Sequence, residues 1–217
     1  MCVICVSKKG VRQPNISEIK NMWESNPHGA GYMFTRNGHV EIKKGFMELD
    51  DFIDAIESEE FTDDDVVIYH FRISTQAGVT PEMTHPFPLS DDLKDMNLLE
   101  CECSVGIAHN GIIRLTSNNN KDYSDTALFI TEYLPALIRD TEDITDRRVK
   151  KIIKELAGSK LAMLNDNGDV SIIGDFYGIG CGLLFSNTTF QPHRDMSRTW
   201  NLGELYGHRY KTAKSYR

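Results

Sequence analysis

Three Asn-Gly pairs punctuate the chain, at 37–38, 110–111 and 167–168, and each lies between runs rich in apolar and β-branched residues. A type I′ turn needs positive φ at both central residues. Asn and Gly adopt it at the least steric cost, so such a pair specifies neighbouring antiparallel strands. The pattern predicts one hairpin over 31–44 (GYMFTR and HVEIKK), a second in which VGIAH and IIRLT bracket 110–111, and a third joining KLAMLND to DVSIIGD. A chain punctuated this way is built on antiparallel sheet.

The rest of the sequence must supply what covers that sheet. MCVICV reads as a short buried strand, and VVIYHFR at 66–72 as a strand apolar on both faces and therefore central. Ile16, Ile19 and Met22 recur at helical spacing after a Pro14-Asn15 turn. Leu49, Phe52, Ile53 and Ile56 do the same over 49–58, ahead of an acidic loop with Asp63, Asp64 and Asp65. Ser124 is placed to cap a helix through DTALFITEYLPALIRD, and Val149, Ile152, Ile153 and Leu156 mark another that ends at Gly158. GLLFSN is a further strand, while the stretch from Pro81 to Cys103 lacks periodicity and reads as a long surface excursion. Strands, two successive helices and strands again fit an α+β fold better than alternating βαβ units.

At 217 residues the chain can bury a substantial core without a partner. A formal charge of -8 repels phosphate backbones and argues against a nucleic-acid partner. No apolar stretch approaches the ~18 residues of a membrane helix. Lys8 and Lys9 follow the first apolar run instead of preceding it, unlike a secretory signal. Five cysteines are an odd number for a disulfide framework and suit reduced thiols in a cytoplasmic setting.

Four stretches hold more chemistry than folding requires: Cys2, the run from His70 to Gly78, the run from Ala108 to Gly111, and Ser124-Asp125-Thr126. Each has a bland reading. Cys2 can be one more small strand residue, and Arg72 can pack its stem and reach solvent with its head. Asn110-Gly111 can be only a turn, and Asp125 only an acid favoured in the first turn of a helix. For His70, His85 and His109, packing is the preferred reading.

Taken in order, these stretches resemble the glutaminase domain of the class II glutamine amidotransferases, members of the N-terminal nucleophile hydrolases. The likeness runs from Cys2 to about Asn187. It rests on the second-position cysteine, Gly29 and Gly31 in NPHGAGY, Arg72, Thr75 and Gly78, the triplet His85-Pro86-Phe87, Asn110-Gly111, and Asp125. The resemblance implies a four-layer αββα fold, with two stacked antiparallel sheets between helical layers. It also implies that removal of Met1 leaves Cys2 holding both a thiol and a free α-amine. That amine would take the thiol proton, the thiolate would attack the side-chain amide of glutamine, and water would release glutamate and ammonia from a γ-glutamyl thioester. Asn110 and Gly111 would donate to the tetrahedral oxyanion. Arg72 would hold the α-carboxylate of glutamine, Asp125 its α-ammonium, and Thr75 a further hydrogen bond, with Gly29 and Gly31 beside the substrate. No cofactor and no metal is implied. His28 and Gln76 depart from residues common in the family.

The domain expected from the resemblance covers 2–192, with no acceptor domain after it, so the ammonia would go to a separate protein. The segment 193–217 carries six Lys or Arg residues against Asp195 and Glu204, with Trp200, Tyr206, Tyr210 and Tyr216 interleaved. That composition suits a docking tail or a segment folded over the core. Two other functions compete: hydrolysis of another γ-glutamyl or amide substrate on the same fold, and a non-catalytic module, either a scaffold or a metal site built from Cys2, Cys5, Cys101 and Cys103.

Overall fold

The computed structural model describes residues 1–74, 78–115, 123–178 and 180–190, together with the backbone of Trp200–Asn201. β1 (Val3–Ser7) lies between β4 (Val67–Phe71) and β11 (Leu184–Phe185), antiparallel to both. From β4 the sheet continues through β2 (Ala30–Arg36) and β3 (His39–Phe46) to β6 (Glu100–Cys103). From β11 it continues through β10 (Tyr177–Gly178) to β12 (Trp200–Asn201), giving eight strands. A second sheet has four, in the order β5 (Phe87–Pro88), β7 (Val105–Asn110), β8 (Lys160–Asn165), β9 (Val170–Ile173). All pairings in it are antiparallel. The described residues also form four α-helices: α1 (Ile16–Ser25), α2 (Leu49–Ser58), α3 (Asp125–Leu137) and α4 (Arg147–Ala157). The protein is α+β.

Alternation along the strands divides the interior into three cores. Val3, Cys5, Tyr69 and Phe71 pack beneath Met22 and Trp23 of α1 and Phe52 of α2. The opposite face of the same strands presents Ile4, Val6 and Ile68 to Ala108, Ala162 and Leu164 of the small sheet. That sheet's far face, with Ile107, Leu161 and Met163, packs beneath Phe129 and Leu134 of α3 and Ile153 of α4. Small residues between the sheets let them approach: a Cβ on Gly106 would stand 2.5 Å from Met33 Sδ.

The helix ends follow local chemistry. Asn15 and Glu18 form a reciprocal capping box on α1, the Ser124 side chain accepts from Ala127 N–H at the start of α3, and Gly158 closes α4 at φ 60. The hairpin over 31–44 closes at Asn37 and Gly38, with φ 53 and 77, and β8 and β9 form the one around 167–168.

Two expectations are corrected. Asn110-Gly111 is not a hairpin turn. Asn110 ends the ladder with β8 and residues 112–115 form no strand, because the Asp125 carboxylate takes the Ile113 N–H at 2.6 Å and leads the chain towards α3. The 81–103 stretch is also not a free excursion. β5 and β6 join the two sheets, Phe87 and Met96 are buried, and Lys44 anchors the segment. The Lys44 ammonium donates to the carbonyls of Glu82 (2.8 Å) and Met96 (2.6 Å) and stands 3.8 Å over the Phe87 ring.

Candidate active site

The register that pairs Val3 with Phe71 carries Cys2 and Arg72 together just past the end of the β1–β4 ladder. Cys2 Sγ lies 3.5 Å from the backbone nitrogen of Ile73, which donates to it, and 3.7 Å from the Ile73 carbonyl. The Asn187 side-chain amide donates to the Cys2 carbonyl and fixes the other side of the residue. The last strand residue of β7, Asn110, reaches the same place from the small sheet. Cys2, Ile73, Asn110 and Gly111 line a cleft of about 580 Å³, walled further by Met1, Ile112, Arg114 and the end of α4 from Glu155 to Gly158.

The Asn110-Gly111 pair is held from three directions. His70 Nε2 donates to the His109 carbonyl at 3.0 Å, bridging the two sheets. Asn110 Nδ2 lies 2.9 Å from Ser186 Oγ, which also accepts the Ile4 N–H at 2.9 Å. A Cβ on Gly111 would stand 2.6 Å from that of Ser159, so only glycine fits at this φ of +147.

Burial dominates the electrostatics. It pushes the Cys2 thiol above its ordinary value, against the Ile73 N–H, the chain's N-terminal ammonium and Arg72, all of which favour the thiolate. Burial lowers the Arg72 guanidinium, and Cys2 raises it. Arg72 is 7% exposed and donates from Nη2 to the Gly78 carbonyl at 3.4 Å, while its buried Nη1 meets no partner among the described residues. Burial drives His70 to about 3 and His109 to about 4, and His85 well below the ordinary histidine range. All three imidazoles are neutral at physiological pH, and none is hydrogen-bonded to Cys2 among the described residues. The positive charges acting on the thiol are those of the N-terminus and Arg72.

Cys2, Asn110 and Gly111 meet at one cleft and Arg72 adjoins it. Gly29 is joined to Arg72 through its carbonyl, which accepts the Arg72 N–H at 2.8 Å. Gly31 pairs with His70, and a Cβ there would stand 2.4 Å from the His85 carbonyl. Asp125 accepts from the backbone nitrogens of Ile113 (2.6 Å) and Thr126 (2.8 Å). Thr75 lies outside the described residues, as does the 193–217 segment apart from the Trp200–Asn201 backbone.

Ser186, Asn187 and Ser159 carry no site signal in the sequence, because small polar residues at element ends read as caps and strand termini, whereas Thr126 lies in the Ser124-Asp125-Thr126 run already singled out. The four-cysteine metal site fails on topology. Cys5 is fully buried on the helix-facing side of β1, and β6 with Cys101 and Cys103 lies four places away in the sheet, about 19 Å at ~4.8 Å per strand. Among the described residues no group of three His, Cys, Asp or Glu side chains is placed to hold a metal, and no helix is long and apolar enough to cross a membrane. Compared with known proteins, the chain matches no family model and no curated protein.

Proposed function

We propose that this chain is a glutaminase-type amidohydrolase that uses Cys2 as an N-terminal nucleophile and supplies ammonia to a separate acceptor protein. The observation that carries it is the convergence of Cys2, Asn110 and Gly111 on one cleft, with no side-chain base hydrogen-bonded to Cys2 among the described residues. A buried thiol so placed needs a base, and the α-amine freed by loss of Met1 is the one at hand. The amine takes the thiol proton, Sγ adds to the amide carbon, and the C–N bond breaks as the amine cation protonates the departing ammonia. Water, deprotonated by the same amine, then cleaves the thioester. Asn110 Nδ2–H and the Gly111 N–H are the oxyanion donors. The buried Nη1 of Arg72 suits an α-carboxylate and Asp125 an α-ammonium.

The three cores, stacked as helix, sheet, sheet and helix, support reading the fold as the four-layer arrangement of N-terminal nucleophile hydrolases. A second reading, hydrolysis of a γ-glutamyl amide with a larger leaving group, is favoured by the cleft's apolar wall of Ile112, Leu156 and Ala157, which exceeds what ammonia needs. The test is mass spectrometry of protein exposed to a diazoketone analogue of glutamine, beside Cys2→Ala, with ammonia release measured from glutamine and aniline release from γ-glutamyl anilide. The proposal expects a chain lacking Met1, labelled only at Cys2 and releasing ammonia from glutamine. Turnover of the anilide alone establishes the second reading, and an unlabelled chain with Met1 retained overturns both.

A further inference from the structure

The Asn110 side chain has a hydrogen-bonding deficit that points to an unassigned residue. With Nδ2 directed at Ser186 Oγ, Asn110 Oδ1 is buried without a partner among the described residues, and no described residue accepts the Ser186 hydroxyl proton. A half-turn of the amide about its terminal bond removes both faults. Oδ1 then accepts the Ser186 O–H over the same 2.9 Å, and Ser186 Oγ still accepts the Ile4 N–H. What is left over is an Nδ2 carrying two unsatisfied N–H groups beside the cleft, the donor that a developing oxyanion demands.

We propose that Ser186 is a positioning residue that orients the Asn110 amide as an oxyanion donor, an inference that rests on the nucleophilic role given to Cys2 above. Ser186 is fully buried and rigidly set. Its N–H donates to the Ile4 carbonyl at 2.9 Å, its Oγ accepts the Ile4 N–H, and its carbonyl accepts from Lys160 Nζ at 2.5 Å. The following residue, Asn187, holds the Cys2 carbonyl. One dipeptide thus grips the nucleophile and the oxyanion donor together, and β11 delivers it to the strand that carries Cys2. The hydroxyl hydrogen is the element that chooses which end of the amide faces the substrate.

The experiment separates this role from a structural one by two reactions of Cys2. Alkylation by iodoacetamide develops no oxyanion, whereas acylation by p-nitrophenyl acetate passes through one, and neither requires glutamine to be the substrate. Ser186→Ala should slow acylation by about 10²-fold, within the range of losing one donor, and leave alkylation within about twofold of wild type. Ser186→Thr should restore most of the acylation rate. In the Asn110→Ala background, Ser186→Ala should cost nothing further, since the residue acts only through Asn110. Equal losses in both reactions, additive losses in the double variant, or no acylation of Cys2 in the wild type overturns the proposal. Ser186-dependent acylation with no ammonia released from glutamine upholds it and rejects the glutaminase reading instead.

Discussion

His109 Nε2 lies 2.7 Å from Ser159 Oγ, and the Ser159 hydroxyl lies 3.1 Å from the Ala157 carbonyl, to which it donates. The serine proton being spent on that carbonyl, Nε2 carries the hydrogen. Nδ1, 2.7 Å from Thr126 Oγ1, then accepts the threonine hydroxyl hydrogen, for which the Asp125 carboxylate at 3.3 Å is the more distant acceptor. One neutral ring therefore joins α3 to the chain just after α4, directly beside the Asn110-Gly111 pair. His109→Ala should lower stability by about 3 kcal/mol, because the buried Thr126 hydroxyl and the half-buried Ser159 hydroxyl each lose a partner at ~1–3 kcal/mol. Urea unfolding at pH 7 measures it. A loss under 1 kcal/mol would show that water replaces the ring without cost.

The three buried histidines make the fold acid-sensitive well above the carboxylate range. Folding drops His70 to about 3 and His109 to about 4, while an unfolded histidine titrates near 6.5. Above 6.5 both states are neutral and nothing is contributed. As pH falls below it, the unfolded chain binds protons that the folded chain refuses, so stability is lost down to the folded values. At pH 5 the expected loss is up to about 2 kcal/mol per histidine. His85, whose ring nitrogens have no partner among the described residues and which packs 4.8 Å from Phe87, gives the control. His85→Phe should recover stability at pH 5 by more than at pH 7. A urea midpoint unchanged between the two pH values would contradict the argument.

Lys44 acts in the opposite pH region. Burial lowers its ammonium from 10.5 to about 7, so between these values the unfolded chain holds a proton that the folded chain has released. Stability linked to Lys44 therefore rises with pH through that window, by at most about 1.4 kcal/mol per unit. Relative to Lys44→Met, the wild type should gain stability from pH 7 to pH 9.5. Because the two acceptor carbonyls belong to Glu82 and Met96, the variant should also loosen the 81–99 segment, read as faster amide exchange there. A pH-independent difference between the two proteins would mean that Lys44 is charged throughout.

The contrast between β3 and β6 shows how far the sequence could be read. β3, with its Asn-Gly turn and alternating Val40 and Ile42, was legible because turn chemistry and period agree. β6, Glu-Cys-Glu-Cys, was not, because an edge strand exposes alternate acids and half-buries small thiols, a pattern without apolar contrast. The site divides the same way. Cys2, Arg72 and Asn110 are large or reactive enough to mark themselves. Ser186 matters through a proton shared across 76 residues of sequence, which no local pattern records. The Asn110-Gly111 pair misled for a related reason: the dipeptide fits a hairpin, but tertiary contacts from Asp125 and Ser159 decide where the chain goes next.

The reactivity of Cys2 itself follows from a competition. Burial favours the neutral thiol and is the largest influence, while the Ile73 N–H, the N-terminal ammonium and Arg72 favour the thiolate and only partly offset it. The thiol is therefore protonated at pH 7, and alkylation by iodoacetamide should climb with pH and not level off below pH 9. Arg72→Met removes one of the offsetting charges and should push the profile further up, slowing the reaction several-fold at pH 8. Arg72→Lys, which keeps the charge, should restore much of the rate while still failing to bind a carboxylate in a fork. A profile that levels off below pH 8, or one indifferent to Arg72→Met, would mean that the thiolate is stabilised by something other than these groups. The direct amine-to-thiol transfer would then be unnecessary, and the nucleophile would stand ready without it.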